Sequence, residues 1–192
     1  MERFARVVLG YHGCLEPTAT DLLSGRRSIE RWPPSENAWD WLGHGLYFWE
    51  HGPERALRWA EDKARRTSRK WRRAPQAAVI GAVIQLGECL DLTDVAHTRL
   101  AAAAFKKLHT AYERSRIPLP VNSGTDRDLK NRRLDCLVIN WLCGQEEQLQ
   151  TVRGVFAEGT EAYPGAKILS ETHIQIAVRD KDCILGLFRP NL

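Results

Sequence analysis

Apolar and polar positions fall into short blocks whose period changes several times along the chain. Phe4-Ala5-Arg6-Val7-Val8-Leu9 leads into Gly10-Tyr11-His12-Gly13, which predicts a strand entering a glycine turn. Leu15 to Leu23 reads as a short helix stopping at Ser24-Gly25, and the stretch to residue 40, with Pro33-Pro34, reads as loop. Gly43-His44-Gly45-Leu46-Tyr47-Phe48-Trp49 leads into the clearest helical pattern, residues 53–73. There Pro53 suits the first turn and Glu54 the positive helix end, while Ala56, Leu57, Trp59, Ala60 and Ala64 share a face. The β-branched density of Ala78 to Leu86 predicts a buried strand, and Cys89-Leu90-Asp91-Leu92 a short one. Thr93-Asp94 opens a helix over about 95–114, followed by loop at 115–128. Leu134 to Cys143 is a helix or a buried strand, because so short a run does not separate the two periods. Strands at 150–156, 173–179 and 183–188 close the chain.

Helices and strands do not alternate regularly, so the pattern predicts an α+β fold with antiparallel sheets, not a doubly wound parallel sheet. A chain of 192 residues with 43% apolar positions suits one domain over 1–192 and excludes a disordered chain. No apolar run approaches the roughly 20 residues a membrane span requires, and the apolar stretch after Met1 is too short for a signal peptide. Five scattered cysteines without a CxxC pair exclude a disulfide framework and a zinc site, so no metal is expected. They fit a reducing, cytoplasmic setting.

A net charge of +4 is mild, and its distribution matters more. Lys63 to Arg73 carries seven cations and no acid around Trp71. Such a tract is a solvated helix face, or a surface that steers an anionic partner; on the second reading Arg65, Arg66, Arg69 and Trp71 contact an acceptor.

Two segments carry the chemical signal. Tyr11-His12-Gly13 places a histidine beside a glycine that lets a ligand approach the backbone. Gly43-His44-Gly45-Leu46-Tyr47-Phe48 is not a phosphate loop, since no third glycine follows and the next residues are bulky. Together they resemble the first two motifs of the ADP-ribosyltransferase superfamily, in the His-Tyr-Glu branch that contains diphtheria toxin and the poly-ADP-ribose polymerases. The helix after them offers Ala56-Leu57-Arg58-Trp59-Ala60 where that branch has a serine and a second aromatic. The strand Glu171-Thr172-His173-Ile174-Gln175-Ile176-Ala177-Val178 occupies the place of the third motif. The resemblance touches the start, middle and end of the chain in order, while 95–150 adds little.

What the resemblance implies is a split core of two small antiparallel sheets around an NAD cleft. NAD is then a substrate, and the expected activity is mono-ADP-ribosyl transfer to a protein or nucleic acid. His12 would bond the adenine-side ribose, and the Gly13 backbone the nicotinamide carboxamide. Tyr47 would stack on the nicotinamide, with Trp59 on its other side. Gln175 would grip the ribose 2′-hydroxyl where the branch has a glutamate; His173, on the same strand face, would either approach the acceptor or be a surface histidine. The catalytic set is thus His12, Tyr47 and Gln175. The neutral Gln175 amide adds no charge near the cation that develops as nicotinamide leaves, a loss of about 10²- to 10³-fold in rate where such charge matters. It leaves open an inert NAD-binding module or an NAD glycohydrolase. Glu171 lies on the same strand face if the strand extends that far, where it would restore the missing charge; otherwise it belongs to the preceding loop. Bacterial relatives of this kind often act as toxins or in defence, which would imply an antitoxin or immunity partner.

Overall fold

The computed structural model describes residues 6–68, 75–124, 129–146 and 148–192. Strand β1 (Val7–Leu15) pairs along its whole length with β3 (Ala77–Gln85), which is antiparallel to it. Between them in sequence come α1 (Glu16–Leu23), β2 (Leu46–Glu50) and α2 (Pro53–Ser68). The chain continues through β4 (Cys89–Asp91), α3 (Val95–Ser115), β5 (Asn122–Ser123), β6 (Asn131–Arg132) and α4 (Arg133–Gln145). It closes with β7 (Thr151–Phe156), β8 (His173–Val178) and β9 (Ile184–Phe188). The fold is α+β, as the irregular alternation predicts. The open stretch Leu134–Cys143 is helical, with Cys136, Ile139, Leu142 and Cys143 buried at helical spacing. Its first turn is tied down by Asn122, whose Oδ1 accepts from the Leu134 N–H at 2.9 Å.

The sheet differs from the expected pair of small antiparallel sheets. Among the described residues it is one seven-stranded sheet, in the order β4-β7-β8-β2-β1-β3-β9, with β5-β6 as a separate two-stranded pair. Every neighbouring pair is antiparallel except β4–β7, which is parallel. The two halves are joined by only two residue pairs between β1 and β2, Gly10↔Glu50 and Tyr11↔Trp49. Beyond Tyr11 the strands part, because the next rung is replaced by a side-chain bond from His12 Nδ1 to the Tyr47 carbonyl at 2.8 Å.

One sheet face packs Val8, Phe48, Ile80, Ile84, Ile176 and Val178 into a core with α1 and Trp32. The other face is covered by α4 and α3 at one end, through Leu42, Leu108, Ile139, Leu142 and Val152. At its other end it is covered by α2, where Ala56 meets Trp49 and Val79. The alanines of α2 fall every fourth residue, at Ala56, Ala60 and Ala64, so the helix lies very close to the sheet.

That close approach fixes the residue at Gly13. A Cβ built there would lie 2.1 Å from the Ala56 carbonyl oxygen, which is helix backbone and cannot swing away. Gly13→Ala is expected to destabilise the fold by about 1–3 kcal/mol through overpacking, measured as a lower midpoint in urea unfolding with an unchanged slope.

Candidate functional site

The gap between β1 and β2 opens into a cavity of about 1030 Å³ whose lining includes His12, Gly13, Trp32, Tyr47, Trp59 and Gln175. In this antiparallel ladder Leu9 accepts from His51 across the joint at 3.1 Å. Alternation therefore aims the N–H and C=O of Tyr11 and Gly13 at β2. Tyr11 is the last residue of β1 paired with β2, so the main-chain groups of Gly13 face the gap. The sequence reading assigns Gly13 to ligand contact through its backbone. The structure adds that its missing side chain makes room for α2.

His12 is half-buried, its ring edge-on to Trp32 at 4.8 Å and to Phe48 at 5.8 Å. The Tyr47 carbonyl can only accept, so Nδ1 carries the proton and Nε2 keeps a lone pair for a hydroxyl donor. Burial lowers the imidazole pKa to about 4; the bond to Tyr47 opposes this, and the charge of Lys63 adds to it. The ring is thus a neutral acceptor at physiological pH. Tyr47 is held by both lone pair and proton. Its hydroxyl accepts from the Leu42 N–H at 2.8 Å and donates to the Gly43 carbonyl at 2.6 Å. Burial drives the phenol pKa well up against the opposing Leu42 N–H bond, and with the hydroxyl tied to the Leu42-Gly43 turn the ring is a fixed platform. Trp59 lies in the same lining, 6.0 Å from Trp49 and with the Lys63 ammonium 4.9 Å above its ring.

On β8 the amide of Gln175 donates to His173 Nε2 at 3.0 Å. His173 Nδ1 in turn donates to the Glu171 carbonyl at 2.8 Å, which fixes the tautomer and thereby the amide orientation. The Gln175 carbonyl oxygen is left to accept from a ligand. The structure does not bring His173 to the cavity wall as an acceptor contact. Its side chain is 6% exposed and sits among Trp41, Trp49 and Phe156, behind Gln175. Burial lowers its pKa. His173 orients Gln175.

Two groups that the sequence did not single out, Glu158 and Arg55, join Glu171 beside Gln175. Glu158 is a buried carboxylate, 3% exposed, that accepts from Arg55 at 3.0 Å and lies 3.9 Å from the Lys130 ammonium. Arg55 also approaches Glu171 at 3.6 Å. The Glu171 N–H donates to the Glu158 carbonyl at 3.0 Å, two residues beyond the Phe156↔His173 pair. Both carboxylates therefore fall on the Gln175 face, although β8 itself starts at His173. No local motif marks Glu158. Its role depends on the β7–β8 register, which a single sequence does not print.

The remaining candidates are placed as follows. Arg65 and Arg66 are exposed on α2 at the cavity rim, and Arg65 pairs with Asp62. Arg69 and Trp71 lie outside the described residues. Cys14 is buried, and burial raises its pKa to about 11, so it is a poor nucleophile. No helix among the described residues is long and apolar enough to cross a membrane. Compared with known proteins, the chain matches no family model, no curated protein and no solved structure.

The neutral His12 has a measurable signature. An unfolded chain takes up the imidazole proton near pH 6.5, the folded one only near 4. Stability from this group is therefore complete above about pH 6.5 and is lost as pH falls towards 4. His12→Gln is expected to flatten unfolding free energy against pH in that window, relative to the unsubstituted protein, in urea titrations at successive pH values.

Proposed function

We propose that the cleft binds NAD and transfers its ADP-ribose to a macromolecular acceptor, as a mono-ADP-ribosyltransferase. The observation that carries this reading is the parting of β1 and β2 at the His12–Tyr47 bond. It frees the Gly13 main chain beside a fixed aromatic ring in a cavity that also holds Gln175. A carboxamide needs one donor and one acceptor about a peptide's width apart, which the Gly13 N–H and C=O supply. Tyr47, unable to turn because its hydroxyl is doubly bonded, gives the nicotinamide ring a face for dispersion contact. The His12 Nε2 lone pair suits the adenine-side ribose, and the Gln175 oxygen suits the 2′-hydroxyl of the reacting ribose. The cavity volume, about 1030 Å³, is ample for a dinucleotide.

As nicotinamide leaves, positive charge spreads over the ribose C1′ and ring oxygen. Gln175 positions the sugar through a neutral amide and contributes no charge of its own. That single feature supports a second reading, in which the chain holds NAD or ADP-ribose without turning it over. In the transfer reading the exposed cations Arg65 and Arg66 steer an anionic substrate towards the rim. A bacterial toxin or defence role, with a cognate antitoxin, is consistent with the same chemistry.

Two experiments test this. NAD or nicotinamide should raise the melting temperature, since a ligand at a hundredfold excess over Kd stabilises the folded state by about 2.7 kcal/mol. No shift with NAD, nicotinamide or ADP-ribose at millimolar concentration would remove the whole reading. Gln175→Glu adds charge at nearly constant volume and is expected to preserve or raise single-turnover nicotinamide release. If the unsubstituted protein binds NAD without releasing nicotinamide and Gln175→Glu gains release, the binding-module reading replaces transfer.

A further inference from the structure

We infer that Glu171 supplies the carboxylate function that Gln175 lacks, taking the proton of the incoming nucleophile, and that Glu158 keeps it available by occupying Arg55. This rests on the reading of the cleft as an NAD site. Register puts Glu158, Glu171, His173 and Gln175 on one sheet face, and Arg55, Glu158, Glu171 and Gln175 line one cavity. The two carboxylates are unequal. Glu158 is 3% exposed and hydrogen-bonded to Arg55 at 3.0 Å, whereas Glu171 is 36% exposed and meets the same guanidinium only at 3.6 Å. One half-buried cation is thus committed to the inner carboxylate, and the outer one faces the cavity with a looser contact. Two like charges at neighbouring ladder positions are unfavourable unless a cation bridges them, which is the structural reason for Arg55. A separate sign that this end of the cavity receives a ligand comes from Trp49, in register with Gln175. Trp49 is 6% exposed, and among the described residues its indole N–H has no hydrogen-bond partner; nor does the Arg55 Nε–H.

The bond between C1′ and the pyridinium nitrogen breaks, and its electron pair leaves with neutral nicotinamide. A lone pair of the nucleophile, water or an acceptor, forms the new bond at C1′. The proton of that nucleophile passes to a Glu171 carboxylate oxygen and then to solvent. Glu158 touches neither sugar nor nucleophile and is a positioning residue. Without it, Arg55 would close on Glu171 and quench it.

Nicotinamide release from NAD, with water as nucleophile, is the readout under single-turnover conditions. Glu171→Ala is expected to lower the rate about 10²-fold with little change in the thermal shift given by NAD, and added sodium formate should recover part of the loss. Glu158→Gln should also slow release, and the double variant Glu158→Gln with Arg55→Gln should be faster than Glu158→Gln alone. That reversal is not produced by a role in folding. Release by Glu171→Ala equal to the unsubstituted rate, or a loss that formate leaves untouched, overturns the inference while the NAD reading stands. An unsubstituted protein that NAD does not stabilise overturns both, and one that binds NAD but releases no nicotinamide overturns the assignment of Glu171. If Glu158→Gln fails to fold, the Glu171 arm decides alone.

Discussion

An imidazole stands where the sheet would otherwise place a rung. The bond from His12 Nδ1 to the Tyr47 carbonyl satisfies one main-chain acceptor at the point where β1 leaves β2, so the strands separate without orphaning that group. A buried, unsatisfied carbonyl costs about 1–3 kcal/mol, comparable to what a parting of the sheet must otherwise absorb. Only a side chain with one donor and one spare acceptor can both close that carbonyl and still serve a ligand. Lysine, all donor, and a carboxylate, all acceptor, each fail one half of the requirement. The cavity, the exposed main chain of Gly13 and the fixed ring of Tyr47 all follow from this substitution.

The joint that the halves retain is secured on the opposite face. Glu50, paired with Gly10 at the joint, accepts from Arg153 Nε at 2.6 Å, while the same guanidinium reaches both Asp91 oxygens at 3.1 Å. Arg153 thereby binds β2 to β7 and β4 across the width of β8. Buried ion pairs gain little net stability against apolar replacements, but their geometry is exacting, and breaking one partner is costly. Here that exactness holds one end of β2 in place while its other end is free to diverge. Arg55 does the equivalent on the cleft side, joining α2 to the segment after β7 through Glu158.

Much of this was legible in the residues, and the failures have physical causes. The α2 pattern after Pro53 and the helix capped by Asp94 were local signals, and both elements formed where their period predicts, whereas the turn expected at Gly10-Tyr11-His12-Gly13 is absent: β1 runs through it to Leu15, held by unbroken pairing with β3. Leu134–Cys143 stayed ambiguous because ten residues hold too few turns, and packing of Ile139 and Leu142 against the sheet decides it. The single sheet was not legible, since two residue pairs between β1 and β2 leave no composition signature. His173 was readable as a strand-face histidine. Only tertiary packing against Trp41 and Phe156 turns it inward, to orient Gln175. Trp32, within a proline-containing loop, gave no sign that its ring would meet His12.

The arrangement around Gln175 separates two demands that a single glutamate would have to meet together. A carboxylate at position 175 would stand on the same strand face as Glu171 and Glu158, near one guanidinium. Three negative charges on one cation in a partly dry cleft would raise the cost of keeping all of them ionised. An amide there accepts a hydroxyl proton equally well, adds no charge, and spends one N–H on His173 to hold its own orientation. On the NAD reading proposed for the cleft, grip on the sugar then resides in a neutral, well-ordered group. Negative charge resides two alternations along the face, at a side chain with greater freedom to move. On the NAD reading, position and charge then sit on different residues, so substitutions at 175 and 171 act on different steps: the amide orders the sugar, and the Glu171 carboxylate is left to the incoming nucleophile.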